Sequence, residues 1–256
     1  MTDFTIRLAD IPIRVSAIYG STKDFCGDYL TDGTPQITLR IQPEDIDRAR
    51  KDSRNSDLLE GREPGIYSDS FLETVALHRK AADALFAHNV LLFHGSVVAV
   101  DGRCYMFTAK SGTGKTTHAG LWLKNIPGSH IVNGDKPLLL FRDDGVYACG
   151  SPWRGKEGWG TNEIIPLAAV CVLERAEDNH IEEISFGEAL QSLVNQSHRP
   201  PRNSDIGGYI RLIQRLSGVG LYRLGCNMED EAALVSYRVM ASHSAVGQRI
   251  MGPDQT

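Results

Sequence analysis

Residues 4–18, FTIRLADIPIRVSAI, alternate apolar and polar side chains with the period of half-buried strands, and PQITLRI at 35–41 repeats the pattern. The chain therefore opens with a small β-rich segment. The stretch 43–65, PEDIDRARKDSRNSDLLEGREPG, is polar and carries glycines near its end, which is the composition of a connection between subdomains. At Ser70 the period changes. SFLE reads as a capping box, in which the Ser70 hydroxyl accepts from the Glu73 amide and the Glu73 carboxylate reaches back to the Ser70 amide. A helix to about residue 88 is predicted from it, because Leu72, Val75, Ala76, Ala82, Leu85 and Phe86 share one face.

VLLFHGSVVAVDGRCYMFTA at 90–109 reads as strand, strand, turn, strand, with Asp101-Gly102 supplying the positive φ angles of a tight hairpin. KTTHAGLWLKNI has helical spacing, and IVNGDKPLLLF is a strand broken at Gly134-Asp135. RDDGVYAC gives a further hairpin, GSPWRGKEGWGTNEIIP a glycine-rich loop, and LAAVCVLER a buried strand. GEALQSLVNQ and the last forty residues are predicted helical around a short strand, GLYRLG. The class is α/β with a mixed sheet, since the strand entering AKSGTGKTT has an antiparallel neighbour where common phosphate-loop enzymes have parallel ones.

Composition narrows the functional classes. With 256 residues, 41% of them hydrophobic and 23% charged, the chain has the make-up of a globular protein. The formal charge is −5 and the basic residues are scattered, so neither nucleic acid nor membrane is expected as a partner. The N-terminus is charged every few residues, unlike the apolar centre of a signal peptide, which leads to an expectation of cytoplasmic location. Cys26, Cys104, Cys149, Cys171 and Cys226 lie far apart and are odd in number. That pattern fits reduced, packed thiols.

AKSGTGKTTH at 109–118 carries the chemistry. Successive backbone amides before a helix can curl around a phosphate where the helix dipole favours negative charge. On that pattern Ser111, Gly112, Thr113, Gly114, Lys115, Thr116 and Thr117 bind the nucleotide; Lys115 meets the β- and γ-phosphates and Thr116 holds Mg²⁺. Ala109 replaces the usual first glycine, which removes conformational freedom but no donor. Phosphoryl transfer also needs a carboxylate near the terminal phosphate. Asp135 is the candidate, as base, as metal partner with Thr116, or both; its alternative is an Asx turn in NGD. Trp153 and Trp159 either form a lid over a base or anchor their loop, and His118 reads as a packing residue.

FHGSVVAVDGRCYMFTAKSGTGKTT, with HIVNGDKPLLL after it, resembles the HPr kinase/phosphorylase family. SGTGKTT is also similar to the P-loop of ATP-dependent phosphoenolpyruvate carboxykinase, which shares that fold. The blocks GSPWRGKEG, IPLAAVCVLER and GLYRLGCNMEDEAA resemble a bacterial group related to HPr kinase. The resemblance covers about residues 90–240. It implies a phosphoenolpyruvate carboxykinase/HPr kinase-like P-loop core, 66–256, on which a β-rich segment, 1–65, is packed. It further implies an ATP- and Mg²⁺-dependent kinase acting on a hydroxyl, serine by analogy, on a protein, peptide or small molecule.

Position by position, the resemblance makes His94 an active-site residue near the phosphates, Lys115 and Thr116 the phosphate and metal ligands, and Asp135 the retained member of the family's acidic pair. Arg154, with Lys156, would neutralise the transferring phosphoryl group; a solvated loop is the other reading. Two departures stand out: Gly134 occupies the place of the second acid, and the later arginine-glycine signature is kept only at Arg154 and Gly155. The family's kinases are hexamers that also run phosphorolysis in reverse. Neither property is carried over, and a homo-oligomer stays open. The alternative function is a nucleotide-binding regulator whose turnover was lost with the second carboxylate.

Overall fold

The computed structural model of the chain describes residues 1–59, 61–201 and 205–247, with side chains as far as Ser242. They fold as two compact units that divide between His88 and Asn89.

The first unit carries a three-stranded sheet of β1 (Thr2–Leu8), β2 (Ile11–Ala17) and β3 (Ile37–Arg40), in that order. β1 and β2 are antiparallel, and the turn between them puts Ala9 and Asp10 at φ 49° and 65°, a hairpin without glycine. Three helices complete the unit: α1 (Ser21–Phe25), α2 (Pro43–Leu59) and α3 (Asp69–Leu85). The expected connection over 43–65 is thus mostly helix. Its apolar stripe is thin, with Ile46 and Ala49 as the buried apolar positions, so it lacks the amphipathic period that marks helices. The local signal was Pro43 at the first helical position with Glu44 and Asp45 in the first turn. α3 belongs to this unit rather than to the phosphate-loop unit, whereas composition along the chain suggested a division after residue 65.

The cap of α3 also differs from the expectation. Ser68, not Ser70, accepts from the Phe71 amide at the helix start. Glu73 is fully buried, and its carboxylate accepts from the amides of Ile18 (2.5 Å) and Tyr19 (3.0 Å) and from the Thr22 hydroxyl. A buried carboxylate with three donors outcompetes a local cap.

The second unit is built on a mixed sheet. Its strands are β4 (Val90–Leu92), β5 (Ser96–Val100), β6 (Arg103–Thr108), β7 (His130–Asn133), β8 (Leu138–Arg142), β9 (Gly145–Cys149), β10 (Ile164–Arg175), β11 (His180–Glu183) and β12 (Gly220–Cys226). The order runs β4-β8-β9-β10-β6-β5-β7, with β12 pairing with both β10 and β11. β6 lies parallel to β10 and antiparallel to β5, as the Asp101-Gly102 turn (φ 52° and 72°) required. The helices are α4 (Lys115–Asn125), α5 (Phe186–Gln196), α6 (Ile206–Arg215) and α7 (Asp230–Gly247). β11 and α6 were not expected from the pattern along the chain.

The core below the loop centres on Trp122 of α4, fully buried with its ring 5.2 Å from those of Tyr105 and Phe107 and 5.5 Å from that of Tyr237. Its indole N–H donates to the Ser236 hydroxyl of α7 at 2.9 Å, satisfying the ring's polar atom inside the core. None of the five cysteines forms a disulfide, and four of them are buried.

Candidate active site

β6 delivers the chain to the loop 109–114, and α4 starts at Lys115. Gly112 has φ 75° and Gly114 φ 124°, conformations that side chains disfavour. A Cβ at either would meet nothing within 4 Å, so backbone shape rather than crowding requires glycine there; the Thr113 amide donates to the Lys110 carbonyl at 3.3 Å. Gly114 caps α4 without a side-chain bond, which leaves the first amides of the helix unpaired by the helix itself. Ala109 is buried and has no positive φ, so the missing first glycine costs this loop nothing. Lys115 is 7% exposed, and its ammonium donates to the carbonyls of Ala109 at 3.0 Å and Lys110 at 3.4 Å. From the other side Arg175, at the end of β10, donates to the Gly112 carbonyl.

Two further strand ends meet the loop. A Cβ at Gly95 would stand 2.9 Å from the Phe107 carbonyl oxygen, so the glycine after His94 lets β5 start tight against the end of β6. The Thr108 hydroxyl donates to the His94 carbonyl at 2.9 Å, and the His94 amide donates to the Gln196 carbonyl at 2.7 Å. At the end of β7, Asn133 makes the turn: its side-chain oxygen accepts from the amides of Asp135 (2.9 Å) and Lys136 (2.6 Å). The Asx turn in NGD therefore belongs to Asn133, and the Asp135 carboxylate is released from it. That carboxylate faces His94 Nε2 at 3.3 Å and Lys136 Nζ at 3.7 Å.

Burial opposes ionisation of Asp135, but the His94 hydrogen bond and the charges of Lys136, His94 and Lys115 outweigh it and hold its carboxyl down at about 2. Lys115 is thus close enough to act electrostatically on Asp135. Of the residues singled out in the sequence, His94, Lys115 and Asp135 come together at one end of the sheet. Thr116 stands half-buried at the start of α4 and Thr117 exposed beside it.

The 152–160 loop folds across this end. Gly155, at φ 77°, brings its backbone against Asp135, since a Cβ there would lie 3.0 Å from the Asp135 Cβ. The Arg154 stem packs on Gly160, and the Arg154 carbonyl would sit 3.0 Å from any Cβ at Gly134. A side chain at Gly134 would crowd the Arg154 and Trp159 carbonyls, at 3.0 and 3.3 Å from its Cβ. Arg154 is half-buried and Lys156 exposed. Trp159 is packed against the core, and its carbonyl accepts from the Gly134 amide at 3.0 Å, so this ring anchors its loop.

A cavity of about 400 Å³ flanks the loop on the β10–β12 side, bordered by Gly112, Gly114 and Thr117. A second, of about 340 Å³, is bordered by Lys110, Glu174, Ser192 and Gln196. Among the described residues no group of three His, Cys, Asp or Glu side chains could hold a metal. A magnesium ion suits the site only in company: it binds through one or two carboxylates plus phosphate oxygens and water, and Thr116 and Asp135 supply oxygen donors of that kind.

Fold and site together define an α/β protein with a mixed sheet, in which a glycine-bent loop opens a helix beside a histidine–carboxylate pair. No family model matches the chain, and no curated protein matches its sequence. Among solved structures it is distantly similar to the Hpr(Ser) kinase/phosphatase from Coxiella burnetii, with a TM-score of 0.36 and 10% identity, covering 61% of this chain and 98% of that one. Among the described residues no helix is long and apolar enough to cross a membrane.

Proposed function

We propose that the protein is an ATP-dependent phosphotransferase that moves the γ-phosphoryl group to a hydroxyl, serine being the acceptor favoured by the resemblance at the loop. The observation that carries this reading is the convergence of a glycine-bent loop at a helix start, the buried Lys115 and the His94–Asp135 pair at one end of the sheet.

Amides of residues 111–117 take the phosphates, replacing water by fixed dipoles. Lys115 exchanges two carbonyl partners for the β- and γ-oxygens, a gain because the new partners are anionic. Thr116 and Asp135 would hold Mg²⁺, which when bound would supply charge neutralisation to the polyphosphate. The acceptor hydroxyl enters beside Asp135 and attacks the γ-phosphorus in line as the bond to the β-phosphate oxygen breaks; its proton passes to the Asp135–His94 pair, and ADP leaves. With its carboxyl held at about 2, Asp135 is a weak base in the free protein; a polyphosphate beside it would raise its proton affinity and a Mg²⁺ on the same carboxylate would lower it. Arg154 would approach the transferring group from the 152–160 loop.

The test is ADP release from ATP and Mg²⁺ with and without hydroxyl acceptors, in the wild type and in Lys115→Ala. Acceptor-dependent release supports the phosphotransferase, with Lys115→Ala reducing it about 10²-fold or more, the scale of losing one preorganised electrostatic partner. Tight ATP binding without turnover would instead support a nucleotide-binding regulator, the reading that a single carboxylate beside Gly134 favours. Unchanged nucleotide affinity in Lys115→Ala defeats both.

A further inference from the structure

Within the first unit, α2 and residues 61–67 after it border a cleft of about 760 Å³, with Arg50, Lys51 and Arg54 on one wall and Pro64, Ile66 and Tyr67 on the other. The composition of α2 does not announce a basic face, since the helix carries five acids and four bases. Three of those acids are taken up inside the unit: Asp45 pairs with Lys80 at 2.6 Å, Asp52 with Arg79 at 2.5 Å and Asp57 with Arg62 at 3.0 Å. Lys51 and Arg54 are exposed and have no hydrogen bond or ion pair among the described residues. Arg50 pairs with Asp69 and also donates to the Tyr67 carbonyl at 3.3 Å. Asp47 is the one acid among the described lining residues, so three cations face it and the cleft keeps a positive excess.

The second wall is held in place by one carboxylate. Asp57, 4% exposed, accepts from the Gly65 amide, the Tyr67 hydroxyl and the Arg62 guanidinium, each at 3.0 Å. Its backbone carbonyl takes the Arg62 amide at 2.8 Å. A buried carboxylate with three donors ties the segment to α2, and the Tyr67 ring stacks on that of Phe71 with centroids 5.4 Å apart. Ile66, the residue before Tyr67, is left fully exposed on this wall. Single exposed apolar residues are ordinary on protein surfaces. This one stands on a fixed segment across from unpaired cations, with Pro64 two residues before it. The cleft is thus formed in advance, and a ligand need not order it.

We propose that this cleft docks an extended acidic segment of a partner protein, its carboxylates on Arg50, Lys51 and Arg54 and an apolar side chain against Pro64 and Ile66. The spacing suits an extended chain. Arg50 and Arg54 are four residues apart on a helix, a rise of about 6 Å, and side chains two apart on an extended segment are separated by about 6.6 Å. Carboxylates at alternate positions therefore reach both guanidinium groups, while the side chain between them points to the opposite wall, where Ile66 stands. A nucleic acid or an anionic membrane matches this face less well. Asp47 on the rim and Asp69 beside Arg50 repel a continuous row of phosphates, and phosphates offer nothing to Ile66. Docking here needs no nucleotide at the phosphate loop, so it holds whether or not the second unit transfers phosphoryl groups.

Fluorescence anisotropy on the full chain tests it with dye-labelled octapeptides that carry glutamate at alternate positions and leucine or serine between them, and with counterparts in which glutamine or lysine replaces the glutamate. A thymidylate dodecamer and vesicles of phosphatidylserine and phosphatidylcholine serve as the other polyanions. The wild type is expected to bind the glutamate peptide at least about tenfold more tightly than its counterparts, the scale of a few exposed charge pairs acting together. Raising the salt from about 50 mM to about 500 mM should remove most of that preference. Lys51→Glu combined with Arg54→Glu, at positions without partners in the fold, should weaken the glutamate peptide about tenfold or more and leave the urea midpoint unchanged. Ile66→Ser should weaken it several-fold through lost apolar contact. Lys115→Ala should bind the peptide as the wild type does, so a failed phosphate-loop reading leaves this result intact. Equal affinity for the glutamate and glutamine peptides, or a glutamate preference that survives the double reversal, overturns the proposal. Tighter binding of the oligonucleotide or the vesicles than of the peptide, abolished by the same reversal, overturns it too, since the cleft would then be a general polyanion surface.

Discussion

His118 and Asp135 are both titratable groups shifted downward, and the consequences for stability differ. Burial holds the His118 imidazole neutral down to about 4, against an ordinary value of 6.5. As pH falls, the unfolded chain takes up that proton first, so stability should drop between pH 6.5 and 4 and level off below. The loss from this one group is about 3 kcal/mol, at 1.36 kcal/mol per unit. Urea denaturation at pH 7 and pH 4.5 should show it, and His118→Phe should flatten that interval; an unchanged slope would mean that the buried neutral imidazole does not set the acid sensitivity. Asp135 acts lower. Its carboxyl is held at about 2 against 3.8, so its contribution is present above pH 3.8 and is lost as pH falls toward 2.

Some elements here are fixed by one buried polar side chain rather than by apolar period. Glu73 of α3 satisfies two amides and a hydroxyl at the start of α1 from a position with no solvent access. Glu73→Gln keeps the shape but turns an amide NH₂ toward donors. It should cost about 2–3 kcal/mol, the penalty for unmade charge-assisted bonds in a buried site, read as a lower urea midpoint with the denaturant slope unchanged. Asn133 does similar service for the second unit. By taking the Asp135 and Lys136 amides itself, it forms the turn that leaves the carboxylate of Asp135 to His94.

Whole-molecule behaviour can be read one unit at a time, because Trp122, Trp153 and Trp159 all lie beyond Asn89. Tryptophan fluorescence therefore reports unfolding of the phosphate-loop unit. Saturation with ADP and Mg²⁺ at about 100 times the dissociation constant should raise that unit's stability by about 2.7 kcal/mol, seen as a shift of the fluorescence midpoint in urea. Lys115→Ala should abolish the shift, and a shift that persists in that variant would place the nucleotide elsewhere.

Much of this molecule was decided by short-range pattern. The hairpins at Asp101-Gly102 and Asp143-Asp144, the strands that border them, and the loop-to-helix turn at 109–118 arise from period and from turn-forming residues. Those forces act within a few residues, so the sequence displays them. Tertiary structure decided the rest. A thin-striped helix such as α2 shows little period because only two of its apolar side chains are buried. Glu73 leaves its own helix start because amides over 50 residues away are better partners. The Arg154 and Trp159 carbonyls crowd Gly134, and His118 gains its Ser236 partner only when α7 packs against α4. Contacts between distant segments leave no periodic trace along the chain, since nothing in the spacing of residues records which surfaces will meet.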